Sequence, residues 1–176
     1  MKLAYVYDII FDVETNAIKY DEITNFHLLC VLIVQTKEVF SFRDNDPRFL
    51  PVSDGIELIN NAENVIGHNI VRYDIPVVRK FHPNLEPKNV IDTMQMCQMF
   101  FSLPTLMEID RPLYADGTLD FTDLHRQSLK VWGKRLGNAK TDYQGGFETF
   151  NDAMWHYCEQ DCRTNLTVYE MLCELV

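Results

Sequence analysis

Asp12 and Glu14 form the first acidic pair in this chain whose spacing allows chemistry. One residue separates them, so in an extended strand both side chains point to the same side. Two carboxylates on one face repel each other, and burying such a pair is costly unless a cation or hydrogen-bond donors offset the charge. The pair therefore lies either at an open strand end in water or at a metal ion.

Two further acidic residues, Asp74 and Asp161, lie in sequence patterns that either a structural role or a chemical role can explain. Asp74 follows Asn69 and Tyr73 and falls in the first turn of a predicted helix, where a carboxylate interacts favourably with exposed backbone amides. Asp161 lies in another predicted helix, with Tyr157 four residues earlier on the same face. A buried tyrosine often bonds a neighbouring polar group, so structural roles explain each residue taken alone.

The elements that must position these residues follow from the apolar pattern and the turn signals. Strands are predicted at residues 3–14, 26–34, 39–42, 64–68 and 89–92. Helices are predicted from Ser53, around 73–81, over 93–102 and 122–137, and from near Phe150. The proline-containing segment 103–120 is expected to be a long irregular loop, and such loops are often functional.

This order predicts an α/β fold with a mixed five-stranded sheet flanked by helices. Three antiparallel strands continue into two parallel β-α units. A chain of 176 residues can bury one core, so we expect a single domain over residues 1–176. Ligands gather beyond the strand ends of such sheets, and each acidic residue is predicted where strand ends and a packed helix meet.

Composition narrows the function classes and the compartment. The net charge of −10 argues against indiscriminate binding to phosphate backbones or anionic lipids, so any nucleic-acid contact must be local. The five cysteines include no Cys-x-x-Cys pair, which indicates neither a disulfide framework nor a thiolate zinc site. Asp8 interrupts the first apolar run before a signal peptide is complete. We expect a cytoplasmic protein in a reducing compartment, with no membrane partner.

The acidic residues in combination resemble the DEDD superfamily of 3′-to-5′ exonucleases, whose fold is ribonuclease-H-like. The motifs of that superfamily are D-x-E, N-x-x-x-[FY]-D and Y-x-x-x-D. The matching residues are, in motif order, Asp12 and Glu14, then Asn69, Tyr73 and Asp74, then Tyr157 and Asp161. The resemblance covers nearly the whole chain.

The resemblance is strongest to the proofreading domain of phage-type family A DNA polymerases. Residues 90–93 and 129–137 are similar to segments between the second and third motifs of that domain. No polymerase follows Val176, so we expect a free-standing exonuclease or a separated domain. If a phage encodes it, the expected location is the host cytoplasm.

This family implies a metal-dependent enzyme that releases nucleoside monophosphates from single-stranded or frayed DNA 3′ ends. It implies two ions, Mg²⁺ or Mn²⁺, since both accept oxygen ligands and four acids suit two ions better than one. By resemblance, Asp12 bridges the ions, Glu14 and Asp161 bind the ion that generates the nucleophile, and Asp74 serves the second ion.

The resemblance also points to substrate-binding residues. Thr15 and Asn16 follow the acidic pair and would line the pocket of the terminal nucleotide, together with Asn69 and Tyr73. Ile18 matches the position of an apolar wedge against the last bases, although ordinary packing explains it equally well. An apolar wedge suits unpaired ends, where separating the bases costs least.

A local basic patch interrupts the acidic composition. Residues 126–140 contain five basic and no acidic residues. Phosphate binding and a solvated helix face are both open explanations. The candidate phosphate ligands are Lys130, Lys134, Arg135 and Lys140.

Two residues are candidates for contacting the attacking water. The DEDD family divides by whether a tyrosine four residues before the last aspartate, or a histidine five before it, has this role. Both are present here as Tyr157 and His156. On a continuous helix Tyr157 lies about 40° from Asp161 around the axis and His156 about 140°, which favours Tyr157 and the tyrosine (DEDDy) class.

Two alternatives remain open. The first keeps the fold and chemistry but takes RNA, although no residue plainly recognises a 2′-hydroxyl. The second is a non-catalytic module that holds DNA ends or docks a DNA polymerase or another replication protein. The intact acid set argues against this second alternative.

Overall fold

Five strands form one mixed sheet in the computed structural model, which describes residues 6–138, 143 and 145–176. Their bounds are β1 Asp8–Thr15, β2 Phe26–Ile33, β3 Val39–Phe42, β4 Asn64–Gly67 and β5 Asn89–Asp92. Across the sheet the order is β3-β2-β1-β4-β5. β2 pairs antiparallel with β1 and β3, whereas β4 pairs parallel with β1 and β5. The predicted mixed sheet of three antiparallel strands and two parallel units is confirmed.

Helices cover both faces of this sheet. Their bounds are α1 Val52–Asn61, α2 Asp74–Phe81, α3 Thr93–Phe100, α4 Leu103–Ala115, α5 Leu129–Arg135 and α6 Asp152–Cys173. α2 connects the parallel neighbours β4 and β5, which need such a crossover. α1 connects β3 to β4, which are not adjacent in the sheet. α6 contacts β1, β2 and β3. Within the described ranges, no helix is long and apolar enough to cross a membrane.

β1 divides the core into two layers because its side chains alternate. Ile9, Phe11 and Val13 lie in an apolar cluster with residues of α1 and α2. Ile10, on the other side, lies in a second cluster with Cys158 and Cys162 of α6. Asp12 and Glu14 continue the side of Ile10, so the strand that builds the core also directs both carboxylates toward α6.

The segment 103–120 is largely helical, so the predicted long functional loop is wrong. α4 begins after Ser102, whose hydroxyl accepts from a backbone N–H of the first turn. Pro104 lies in that first turn, where its missing N–H has no intrahelical partner to lose. Pro112 lies in the last turn. Prolines near both ends of a helix therefore produced a pattern that we interpreted as a loop.

The predicted helix over 122–137 is shorter than expected. Only Leu129–Arg135 is helical, and His125 has a φ of 63°, a left-handed conformation that interrupts a helix. The backbone N–H of His125 donates to Asp110 Oδ2 at 2.7 Å. A contact with α4 therefore holds this turn in a non-helical form, which no local pattern indicates.

Candidate metal centre

The carboxylates of Asp12 and Glu14 converge with the thiol of Cys158 near the end of β1. One ligand atom from each of the three lies within 4.8 Å of the other two. Cys158 Sγ donates to Asp12 Oδ2 at 3.3 Å. Glu14 is only 6% exposed and Cys158 is fully buried. The acidic pair therefore lies against α6 and is not an open strand end in water.

Asp74 begins α2 and reaches back to β1. Its carboxylate accepts from its own backbone N–H and from that of Val13. Burial, which is the largest cause, and the charges of Asp92 and Asp161 together raise the pKa of Asp74 to about 7, against the lowering effect of these hydrogen bonds. The carboxylate of α2 therefore lies beside β1 and within electrostatic range of an acidic residue on α6.

Asp161 completes the acidic group from α6, where it is 8% exposed. The charges of the acidic residues also affect the pKa of the adjacent residue, Cys162. Burial is the largest cause of the raised pKa of the Cys162 thiol, followed by the charges of Cys30, Asp12, Asp161 and Asp74. Charges act over several ångströms in a protein interior, so the acidic residues of β1, α2 and α6 lie in the same region of the fold.

This donor set fits a divalent cation. Carboxylates that share one buried region repel each other, and a bound cation relieves the repulsion. Carboxylate oxygens are the ligands that Mg²⁺ accepts in proteins. The residues that would hold such an ion are Asp12, Glu14, Asp74 and Asp161.

In the metal-free protein, we expect the contribution of Asp74 to the free energy of unfolding to be smaller at pH 8 than at pH 5. The pKa of Asp74 is raised from 3.8 to about 7, so the fold favours the neutral carboxyl. This contribution is fully present below the unfolded-state pKa and is lost as the pH rises through the folded-state pKa. Asp74→Asn stays neutral and should raise the free energy of unfolding at pH 8 by about 1–2 kcal/mol.

Urea unfolding in EDTA at both pH values measures this effect. Asp54 occupies the corresponding first turn of α1 but is exposed, so Asp54→Asn is the matched control and should leave the pH dependence unchanged. An Asp74→Asn protein that is no more stable than wild type at pH 8 would contradict the argument from burial.

Asp92 braces the turn between β4 and α2, and we did not single it out as a site residue in the sequence. Its carboxylate accepts from the backbone N–H groups of Asn69 at 3.0 Å, Val71 at 3.3 Å and Met94 at 3.0 Å. Asn69 has a φ of 66°, which asparagine adopts more readily than most residues. Asp92 thereby fixes where the chain enters α2 and Asp74. Its position just before a helix was the available signal.

The loop after β1 is tied to the turn before α2. The Tyr73 hydroxyl lies 3.3 Å from Thr15 Oγ1 and donates to Ala17 O at 3.3 Å. Asn16 Oδ1 accepts from two backbone N–H groups across the loop. Ile18 is 73% exposed, so core packing does not explain this residue. The expected substrate-binding residues of this loop therefore hold a defined shape next to the acidic residues.

α6 gives Tyr157 and His156 different surroundings. The Tyr157 ring lies 5.6 Å from the Tyr143 ring, and Tyr157 is half-buried. His156 is exposed, and its ring stacks on Trp155 at 5.2 Å. α6 is continuous over 22 residues, so the four-residue spacing keeps Tyr157 on the side of Asp161.

Arg135 does not belong to an exposed basic patch, which corrects our expectation of a phosphate ligand there. Its side chain is 1% exposed, as is that of Asp110. Arg135 Nε donates to Asp110 Oδ1 at 2.8 Å and Nη2 donates to Oδ2 at 3.1 Å. The third guanidinium nitrogen, Nη1, donates to Arg126 O. This buried bidentate pair joins α4 to α5, and breaking it by removing one partner would leave an uncompensated buried charge.

The three lysines that we expected to bind phosphate have different surroundings. Lys134 Nζ pairs with Asp123 Oδ2 at 2.5 Å, and the Lys134 side chain is 22% exposed. Lys130 is half-buried at the start of α5. Lys140 lies outside the described residues. Phosphate binding by Lys130, Lys134 and Lys140 stays a prediction.

Comparisons with known proteins agree with this architecture. The sequence matches the RNase_H superfamily over residues 9–173. It is 27% identical to the DNA-directed DNA polymerase of Escherichia phage T7 and 26% identical to that of Enterobacteria phage T3, over 93% and 92% of this chain. It spans 26% of the length of each of these relatives.

Solved structures share the fold. Brucella melitensis NrnC superposes with a TM-score of 0.61 at 13% identity, covering 98% of this chain and 75% of that one. NrnC with bound Mg²⁺ gives the same TM-score at 14% identity and the same coverage. At this identity, the likeness shows the arrangement of strands and helices.

Proposed function

The chain belongs to the RNase_H superfamily, and from this premise we propose that it is a metal-dependent 3′-to-5′ exonuclease. It releases nucleoside monophosphates from single-stranded or frayed DNA 3′ ends, as a single domain over residues 1–176. The observation that carries the proposal is the meeting of acidic residues from β1, α2 and α6. Those residues are Asp12, Glu14, Asp74 and Asp161.

The proposed cofactor is a pair of Mg²⁺ or Mn²⁺ ions. We assign Asp12 to both ions, Glu14 and Asp161 to one, and Asp74 to the other. When bound, such ions lower the pKa of the attacking water and stabilise the charge on the leaving 3′ oxygen. The oxygen donor set and the Mg²⁺ bound to NrnC support this assignment.

Tyr157 is the proposed residue that orients the attacking water. A phenol hydroxyl can both donate and accept a hydrogen bond, so Tyr157 would orient the water while the bound ions would activate it. The half-buried ring against Tyr143 restricts the positions that the hydroxyl can take.

The loop after β1 is proposed to bind the terminal nucleotide. Ile18 offers an exposed apolar side chain to an unpaired base, and the contact between Thr15 and Tyr73 fixes the loop beside the acidic residues. Asn16 and Asn69 lie in the same two turns and are proposed to line the pocket. This arrangement suits an end that is already single-stranded or easily frayed, because separating its bases costs little.

DNA is the proposed substrate because both viral relatives are DNA-directed DNA polymerases. The same relatives support association with a DNA polymerase or another replication protein, in the cytoplasm of a host cell. Exoribonuclease activity on the same fold is the competing substrate assignment.

A time course on 5′-labelled single-stranded DNA with Mg²⁺ tests the proposal. The expected result is a ladder that shortens from the 3′ end and disappears in EDTA. A matched RNA strand in parallel decides between DNA and RNA. If neither strand is cleaved with Mg²⁺ or with Mn²⁺, the proposed exonuclease activity is wrong. The remaining alternative is then a non-catalytic module that binds DNA ends or a replication protein.

A further inference from the structure

Cys158 brings a sulfur atom into the acidic centre, although none of the carboxylate motifs includes it. Its Sγ lies 3.3 Å from Asp12 Oδ2. Zinc-like ions hold sulfur at about 2.3 Å and carboxylate oxygen at about 2.1 Å, so two such ligands on one tetrahedral ion lie about 3.6 Å apart. The observed separation is close to that value. A cation bound by both atoms would therefore need little change in their separation.

Glu14 supplies a third donor beside the contact between Cys158 and Asp12, and all three donors lie on regular secondary structure. Ligand atoms of Asp12, Glu14 and Cys158 lie within 4.8 Å of one another, so small rotations bring all three to one ion. Asp12 and Glu14 come from the central strand β1, and Cys158 comes from the continuous helix α6. Donors on rigid elements lose little freedom on binding.

We propose that Cys158 is a further protein ligand of this centre, beside Asp12 and Glu14, and gives it a preference for thiophilic divalent cations such as Co²⁺ and Cd²⁺. The inference rests on the proposed metal centre and deepens it. Carboxylates alone favour Mg²⁺ and Mn²⁺, whereas a sulfur ligand favours softer ions. On binding, the S–H bond breaks, the proton passes to buffer, and the sulfur electron pair forms the bond to the metal, with no change in oxidation state.

Anaerobic titration of the full chain with Co²⁺ tests this ligand without nucleic acid. A cobalt–thiolate bond produces a charge-transfer band in the near ultraviolet. Wild-type protein should develop this band, and Cys158→Ser should lack it. Cys173 is the exposed cysteine, so Cys173→Ser is the control for adventitious thiol binding and should keep the band. Asp12→Asn retains Cys158 and should weaken the band.

Two results would overturn the proposal. One is Co²⁺ binding to wild-type protein, measured by calorimetry, with no charge-transfer band. The other is a band that persists in Cys158→Ser. Because the wild-type spectrum alone can refute the proposal, a folding defect in the variant does not leave it undecided.

Competition between metals separates a ligand from a packing residue. Cys158→Ser should raise the Kd for Cd²⁺ at least about tenfold and leave the Kd for Mg²⁺ within about twofold. An equal loss for both ions would mean that Cys158 only supports the structure. Because no substrate is present, these results stand whether or not the protein cleaves DNA, so a failed exonuclease assay and a failed cysteine ligand are distinguishable.

Discussion

Asp12→Asn is expected to reduce 3′-end hydrolysis on the order of a thousandfold or more while the protein remains folded. Asparagine preserves the volume of the side chain but removes its negative charge and one ligand oxygen. In the proposed centre Asp12 is the residue that serves both ions, so neither ion would keep its full ligand set. Single-turnover cleavage of 5′-labelled DNA measures the loss, and thermal melting followed by circular dichroism checks the fold.

Asp21→Asn is the matched control for this substitution. Asp21 is exposed in the segment that follows β1, so the same change of charge occurs outside the proposed ligands. Its activity should stay within about twofold of wild type. If Asp12→Asn cleaves DNA substantially and with the same metal dependence as wild type, Asp12 is not a metal ligand.

Tyr157→Phe is expected to lower kcat about a hundredfold with little change in KM. The substitution removes only the hydroxyl and retains the ring that contacts Tyr143. The loss should therefore fall on the chemical step and spare substrate binding. His156→Ala should change kcat less than about twofold, because His156 is exposed and stacks on Trp155.

Steady-state kinetics of both variants on the same strand test this ranking. If His156→Ala is the slower enzyme, the protein belongs to the histidine class. The pH dependence of kcat gives an independent readout: a break that is present in wild type and removed by His156→Ala would assign the proton transfer to His156.

Contacts within one element, or between neighbouring elements, were predictable because backbone geometry fixes them. Alternation along β1 directs Asp12 and Glu14 to one side, and the helical repeat directs Tyr157 and Asp161 to one side of α6. Strand runs and turn signals were sufficient for the five-stranded sheet, since each strand is short and bounded by polar residues.

The segment around α4 shows where local signals fail. Proline is compatible with the first turn of a helix, but its presence in sequence equally suggests a loop. The partner of Arg135 was also hidden, because Asp110 lies 25 residues away on a helix that we had not predicted. A cluster of basic residues without a known partner looks like a patch, and only the folded chain reveals a buried ion pair.

The sequence by itself therefore determined the sheet, the family resemblance and the acidic candidates, all of which depend on spacing within short segments. Tertiary structure decided the surroundings of those candidates. Asp92 meets Asn69 across 23 positions, and Cys158 meets Asp12 across 146. Such contacts depend on how strands and helices pack against each other, because residues far apart in the chain are brought together only by the complete fold.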